Sequence, residues 1–292
     1  MSATSYGALL DAVRGVHWQA RRTSGNAAAG THRSKQRGTS AEFTEYRLYR
    51  QGDEPRRIDW RLLARSDRAY IRLATDRTVL PTTIVLDSSA SMAFPTATRA
   101  KWRLAQEVAV GLAAVAHADG DPVGLVLPDA TGKSRMLAPR TRRGVVAEIA
   151  RVVDAWQPEG TSLLAPVVAP VHTARIAIVT DLLGDAEELL RLARVHIVAG
   201  GEVHVVHVIA REEIDPPRRP ILAADPEQPA LHRLLAESTR AAYDRAFTDW
   251  RADMARSWRS AGASYTEVIA DEPAPHAVRR IVEPPTSVVE RR

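Results

Sequence analysis

Two short apolar runs that each end in an aspartate constrain the fold of this chain most strongly. The first runs from Thr82 to Asp87 and the second from Arg175 to Asp181. Helical patterns lie between and after them, as in Thr98 to His117, where apolar residues recur every three or four positions. Strands that alternate with helices of about 12 to 20 residues predict an α/β fold with a mostly parallel sheet flanked by helices and one antiparallel hairpin edge.

The two aspartates predict one shared site. In open α/β sheets, ligands bind outside the carboxyl ends of the strands, which is where Asp87 and Asp181 fall. Ser89 and Ser91 follow Asp87 within one turn, so a carboxylate and two hydroxyls can converge there. Oxygen ligands of this kind suit Mg²⁺. The alternative for this stretch alone is an N-cap turn, because Asp and Ser are favoured before helices.

Two later residues favour the metal site over the cap. Thr161 lies in a loop just before a new apolar segment, and Asp181 closes the second apolar strand. Together with the first turn they resemble the metal-ion-dependent adhesion site of von Willebrand factor A domains. The matching residues, in order, are Asp87, Ser89, Ser91, Thr161 and Asp181.

The resemblance implies a von Willebrand factor A-like, Rossmann-like fold that binds Mg²⁺, with Mn²⁺ as a substitute. Three of the five implied ligands are neutral hydroxyls, and water bridges one or both carboxylates in such sites. The metal then stays electrophilic and takes an Asp or Glu from a partner. A site of this kind binds, and we expect no enzymatic activity from it.

Composition and the absence of long apolar runs indicate the expected cellular compartment. The 292 residues include no cysteine, which excludes disulfides and thiolate metal sites. No apolar run approaches the roughly 18 to 20 residues of a membrane span, and no signal peptide precedes the first charges. We therefore expect a cytoplasmic protein.

Residues 31–73 combine arginines with most of the early aromatic residues. The net charge of +5 is concentrated near this segment, since residues 1–80 carry 15 Lys or Arg against 8 Asp or Glu. Arginine beside aromatics can indicate nucleic-acid binding. Acidic residues are interleaved, however, so we favour a packed segment in which arginines pair with Glu42, Glu45, Asp53 and Asp59.

The same segment resembles the bacterial family labelled domain of unknown function 58. The matching residues are His32, Arg33, Ser34, Glu42, Phe43, Arg47, Tyr49, Gly52, Asp53, Arg57, Ile58, Asp59, Trp60, Ala64 and Arg65. Many relatives begin with two membrane-spanning helices, whereas this chain resembles the short, soluble form. The resemblance implies an adaptor role with a MoxR-type AAA+ ATPase in chaperone or assembly functions.

The sequence thus predicts three parts: an N-terminal basic and aromatic segment (1–80) packed on a von Willebrand factor A-like domain (81–271), followed by a tail (272–292). The predicted function is Mg²⁺-dependent protein–protein interaction. One alternative is nucleic-acid binding through residues 31–77. A Mg²⁺-dependent phosphohydrolase is disfavoured, because Ser89 stands where such enzymes carry a second carboxylate.

Overall fold

The computed structural model describes two compact units. The larger unit comprises residues 1–23 and 80–292, and the smaller unit residues 24–79. The described residues are 6–20, 42–51, 53, 55–75, 79–129, 134–161, 163–217, 221–224 and 232–283.

The helices and strands of the described residues follow one another largely as the sequence patterns predict. In chain order they are α1 (Gly7–Ala12), β1 (Glu42–Leu48), α2 (Trp60–Ser66), β2 (Tyr70–Thr75), β3 (Thr82–Leu86), α3 (Ala100–Ala118), β4 (Val123–Pro128), β5 (Ser134–Arg140), α4 (Val145–Ala155), α5 (Ala165–Val168), β6 (Arg175–Thr180), α6 (Ala186–Val198), β7 (Glu202–Ile209), α7 (Arg211–Ile214), β8 (Ile221–Ala224), β9 (His232–Leu235), α8 (Glu237–Ser260), β10 (Ser264–Ile269) and α9 (Ala274–Val282).

A six-stranded sheet with the strand order β5-β4-β3-β6-β7-β10 forms the centre of the larger unit. Neighbouring strands are parallel except for the β4–β5 pair, which is the predicted antiparallel edge. From β3 the chain adds strands on one side and then crosses over to add β6, β7 and β10 on the other. The strand order therefore reverses between β3 and β6, and α/β sheets bind ligands at such a switch point.

Helices cover both faces of this sheet. Alternate residues of each strand point to opposite faces, so Ile84 and Leu86 pack with α1, α3, α4 and α9, whereas Val85 packs with α5, α6 and α8. Strands β3, β4, β6 and β7 are buried along their whole length. This burial explains why apolar residues predominate in these strands and do not simply alternate with polar ones. The predicted α/β architecture, a mostly parallel sheet flanked by helices, is confirmed.

The ends of the larger unit differ from the predicted boundaries. Helix α1 and the residues at its two ends contribute Tyr6, Leu9 and Val13 to the main core, and residues 1–23 group with residues 80–292. The predicted tail contains α9, whose Ala277, Val278 and Ile281 are also buried in that core. Proline residues suggested an irregular end, but proline is tolerated in the first turn of a helix, where Pro275 lies.

The smaller unit is built on the antiparallel pair of β1 and β2. Asp59 caps α2 by accepting hydrogen bonds from the amides of Arg61 and Leu62. Asp53 pairs with Arg47 at 2.8 Å, one of the predicted contacts between arginine and acid. The family motif residues His32, Arg33 and Ser34 lie outside the described residues.

No helix among the described residues combines the length and the apolar character needed to span a bilayer.

Candidate metal site

The turn after β3 gathers one carboxylate and two hydroxyls in a buried position. Asp87, Ser89 and Ser91 are each less than 5% exposed. The Oδ1 atom of Asp87 accepts a hydrogen bond from the Ser89 amide at 2.9 Å, which closes the turn. Its Oδ2 atom accepts a hydrogen bond from the hydroxyl of Thr180 at 2.7 Å, which connects the turn to the end of β6.

The spacing of the two serine hydroxyls fits a shared metal ion. Ser89 Oγ and Ser91 Oγ are 2.9 Å apart, a hydrogen-bonding distance. Adjacent ligands of an octahedral Mg²⁺ ion with bonds of about 2.0 to 2.1 Å are also about 3 Å apart. The same two oxygens can therefore exchange their mutual hydrogen bond for a common metal ion without a large movement.

The loop that carries Thr161 is held against the Asp87 turn by backbone hydrogen bonds. The amide of Glu159 donates to the carbonyl of Ser88 at 2.9 Å, and the amide of Ala90 donates to the carbonyl of Gly160 at 2.8 Å. Thr161 follows directly and is exposed. The structure therefore places this residue in a loop attached to the Asp87 turn.

The residues that follow the loop are fixed by Asp185. Its carboxylate accepts hydrogen bonds from the amides of Leu164 and Ala165 at 3.1 and 2.7 Å. Asp185 lies just before α6, which follows the Asp181 turn. The loop is therefore attached both to the Asp87 turn and to the segment after β6.

Asp181 is buried at the end of β6, next to the switch point, and both of its oxygens have partners. Oδ1 accepts a hydrogen bond from the Leu183 amide at 3.2 Å. Oδ2 lies 2.6 Å from the ammonium nitrogen of Lys101, in the first turn of α3. That ammonium also lies 3.0 Å from Oε1 of Glu213 on α7. A lysine is thus in direct contact with one of the five predicted ligands.

Lys101 is a charged residue of the candidate site that the sequence analysis missed. Its side chain is 0% exposed. Burial lowers the pKa of Lys101, but the charges and hydrogen bonds of Asp181 and Glu213 outweigh this effect and raise the pKa above its ordinary value. The ammonium is therefore charged at neutral pH. In α3, Lys101 lies three positions before Leu104, on the apolar face of the helix. A lysine on this face was the sequence signal that could have identified it as a buried charge.

Burial also raises the pKa of Glu213, and the nearby ammonium only partly opposes this effect. Glu213 accepts a hydrogen bond from the Ala210 amide at 2.7 Å, which fixes it at the start of α7. The lysine therefore bridges the end of β6 to the segment that follows β7.

The donor set fits a hard divalent cation. The five predicted ligand residues offer carboxylate and hydroxyl oxygens, which Mg²⁺ and Mn²⁺ prefer. The described residues hold no cluster of three or more His, Cys, Asp or Glu with the geometry of a metal site.

The structure defines the class of protein as α/β, with a mostly parallel six-stranded sheet and a buried polar site at the carboxyl ends of its central strands. The family model described as "Protein of unknown function DUF58" matches residues 45–253, and the chain belongs to that family.

The chain is similar to mycobacterial proteins that are themselves uncharacterized. The proteins Mb1516 of Mycobacterium bovis and Rv1480 of Mycobacterium tuberculosis are each 26% identical over 262 residues, covering 83% of this chain and 78% of theirs.

Solved structures with partial similarity include BatB from Bacteroides thetaiotaomicron, at 16% identity and a TM-score of 0.43, covering 70% of this chain and 97% of that chain. An aerotolerance-related membrane protein from Bacteroides fragilis has 18% identity and a TM-score of 0.43, covering 69% and 96%.

Proposed function

We propose that the chain is a protein-interaction module with a von Willebrand factor A-like fold. In this proposal, Asp87, Ser89 and Ser91 bind Mg²⁺, and Thr161 and Asp181 complete the site. The bound metal takes an Asp or Glu side chain from a protein partner in its open position. The module binds its partner and does not turn over a substrate.

The observation that carries the proposal is the meeting of three distant segments at the switch point of the sheet. The Asp87 turn is hydrogen bonded to Thr180 on β6 and to Gly160 in the Thr161 loop. Residues that are about 70 to 95 positions apart in the chain thus meet beside the carboxyl ends of β3 and β6. The distance of 2.9 Å between Ser89 Oγ and Ser91 Oγ supports a metal ion that both hydroxyls bind.

A cleft beside this site supports a protein as the partner. Leu182 and Leu183 line it together with Trp250 and Met254 of α8, and its volume is about 500 Å³. The acidic residues Asp185, Glu187 and Glu188 also line the cleft. Leu183 is 51% exposed. Exposed apolar surface with a polar rim is typical of sites that bind proteins. A partner that places its carboxylate on the metal can bury an apolar side chain here.

The proposed partner is a MoxR-type AAA+ ATPase, for which the chain would act as an adaptor in chaperone or assembly functions. This part of the proposal is based on the family resemblance. The acidic residue that completes the metal coordination would come from that ATPase.

Calorimetric titration of Mg²⁺ and Mn²⁺ into the purified chain tests the metal site. We expect one bound ion per chain and loss of binding in Asp87→Ala. Asp244→Ala, on the exposed side of α8, is the matched control and should bind like the wild type. Failure of the folded wild type to bind either ion, both alone and in the presence of the ATPase, would exclude a metal-dependent function.

Capture of the ATPase on immobilised chain tests the partner. We expect capture in Mg²⁺, loss of capture in a chelator, and loss with Asp87→Ala. Leu183→Asp should reduce capture without reducing Mn²⁺ affinity, because Leu183 lines the cleft and is not a proposed ligand. Equal capture in Mg²⁺ and chelator would remove the metal from the mechanism.

A further inference from the structure

Lys101 is a permanent cation in contact with the proposed metal site. Its ammonium lies 2.6 Å from Asp181 and 3.0 Å from Glu213, and the side chain is fully buried. A buried charge is tolerated only when it is paired and hydrogen bonded, so this ion pair is a fixed part of the fold. Asp181 therefore already has a cationic partner before any metal binds.

The remaining contacts of Asp181 strengthen this constraint. Its Oδ1 atom accepts the Leu183 amide, and its Oδ2 atom contacts the ammonium. A divalent cation that binds Asp181 must share one of these oxygens or displace the lysine. The carboxylate oxygens of Asp87 accept hydrogen bonds from the neutral Ser89 amide and Thr180 hydroxyl.

We propose that the Lys101 ammonium competes with the divalent cation for Asp181 and thereby lowers the metal affinity of the free protein. This inference rests on the proposed function, since it concerns the same metal site. Lys101 acts as a specificity-determining residue: it leaves the Asp87 turn as the main anchor of the metal. Because Asp181 stays paired with Lys101, the chain offers the metal fewer anionic ligands. A partner's carboxylate then supplies the missing negative charge.

The ion pairs of Lys101 with Asp181 and Glu213 allow a charge-matched test. With every group ionised, Asp87, Asp181, Glu213 and Lys101 carry a formal charge of −2. Replacing Lys101 by Met and Glu213 by Gln removes one charge of each sign and leaves this total unchanged. The double variant therefore removes the competing ammonium without changing the net charge around the metal.

The measurement is the dissociation constant of Mn²⁺ for wild type and for Lys101→Met/Glu213→Gln, without a partner. We expect the double variant to bind on the order of tenfold more tightly or better, the scale on which groups around metal ligands change affinity. Glu213→Gln alone keeps the ammonium and should bind no more tightly than the wild type. Circular dichroism and thermal unfolding confirm that each variant is folded.

The outcomes separate this inference from the proposed function. Equal Mn²⁺ affinity in wild type and double variant would overturn the role of Lys101 and leave the metal site intact. Absence of Mn²⁺ binding in both would overturn the two proposals together. Tighter binding by the double variant supports the inference even where the wild type binds too weakly to measure.

The wild-type protein provides a second test that needs no folded variant. The sequence contains three lysines, Lys35, Lys101 and Lys133. The ¹⁵N signal of the buried Lys101 ammonium should shift on addition of Mg²⁺. Saturation with Mg²⁺ that leaves the Lys101 signal unchanged would contradict the competition.

Discussion

The carbonyl oxygen of Trp18 accepts a hydrogen bond from Nη2 of Arg175 at 3.1 Å, and the same guanidinium lies 4.5 Å from the centre of the Trp18 ring. Arg175 is fully buried at the start of β6 and also pairs with Asp121. Asp121 in turn accepts the amide of Leu80 at 2.8 Å. In the larger unit, Trp18 precedes residues 24–79 in the chain and Leu80 follows them. Both are therefore held by contacts centred on the buried Arg175, directly for Trp18 and through Asp121 for Leu80.

This arrangement lies at the amino ends of the parallel strands, away from the metal site. Arg175 begins β6, whereas Asp181 follows its end. The larger unit thus separates the contacts that hold its chain segments together from the residues of the proposed metal site. Variants of Arg175 should affect stability and leave metal affinity unchanged.

The first prediction concerns Arg175→Met. It removes the guanidinium that pairs with Asp121 and Glu202, and breaking a buried ion pair by removing one partner costs about 3 to 5 kcal/mol of unfolding free energy. Urea denaturation measures this loss. Arg14→Met is the control, because its ion pair with Asp11 is exposed and its loss should change stability little.

A second variant separates the charge effect from packing. Neutralising both carboxylates in the background of the Arg175→Met variant, with Asp121→Asn and Glu202→Gln, should recover much of the loss, because no buried charge then lacks a partner. A loss below about 1 kcal/mol for Arg175→Met alone would contradict the stabilising role.

The second prediction concerns pH and His207. Burial lowers the pKa of His207 from its ordinary value of 6.5 to about 4. The neutral ring is therefore favoured in the folded state, and its stabilising contribution is present above pH 6.5 and is lost as the pH falls toward 4. A shift of this size corresponds to about 3 kcal/mol. The charged groups that face the ring are Glu267, Asp181, Lys101 and Arg251.

Urea denaturation between pH 7 and pH 4 measures this loss. His207→Asn keeps a polar partner for the hydroxyl of Tyr265, which lies 2.6 Å from Nδ1 of His207, but it does not titrate. The variant should lose less stability over this range than the wild type. His276→Asn, at an exposed histidine, should follow the wild-type profile. Parallel profiles for wild type and His207→Asn would contradict the shift.

The third prediction concerns the contact of α3 with α9. A Cβ atom at Gly111 would lie 2.6 Å from a methyl carbon of Val278, which is too close for two carbon atoms. Gly111→Ala should gain up to about 1 kcal/mol from helix propensity. It should lose more than this through overpacking, for a net loss of about 1 kcal/mol or more.

Val278→Ala removes the obstructing methyl and completes a double-mutant cycle. In that background Gly111→Ala should be neutral or stabilising. Thermal unfolding of the four proteins gives the coupling. A destabilisation by Gly111→Ala that is equal in both backgrounds would show that Val278 is not the obstacle.

The fourth prediction concerns Asp185, which accepts the amides of Leu164 and Ala165. Asp185→Ala should cost about 1 to 2 kcal/mol, the scale of a lost helix cap. It should also weaken Mn²⁺ binding, because the loop that carries Thr161 loses an attachment. Asp185→Asn retains one acceptor oxygen and should lie between wild type and Asp185→Ala in both measurements. Unchanged Mn²⁺ affinity in Asp185→Ala would show that the backbone contacts to Ser88 and Ala90 hold the loop by themselves.

Local patterns in the sequence predicted the central strands and helices well. Thr82–Leu86 and Glu202–Ile209 are apolar over most of their length, and buried parallel strands favour such sequences. Helix α9 was missed because Pro275 and the prolines on either side of the helix dominate the local pattern. Only its burial against α3 shows that Val278 and Ile281 belong to the core.

The sequence by itself determined the alternation of strands and helices and the position of Asp87 and Asp181 at strand ends, because both are local properties of the chain. Tertiary structure alone decided which charges meet. Lys101 contacts Asp181 across 80 positions and Glu213 across 112, and Arg175 contacts Trp18 across 157. Periodicity identifies a buried face but cannot identify the partner of a charge on it, because that partner is selected by packing between elements far apart in the chain.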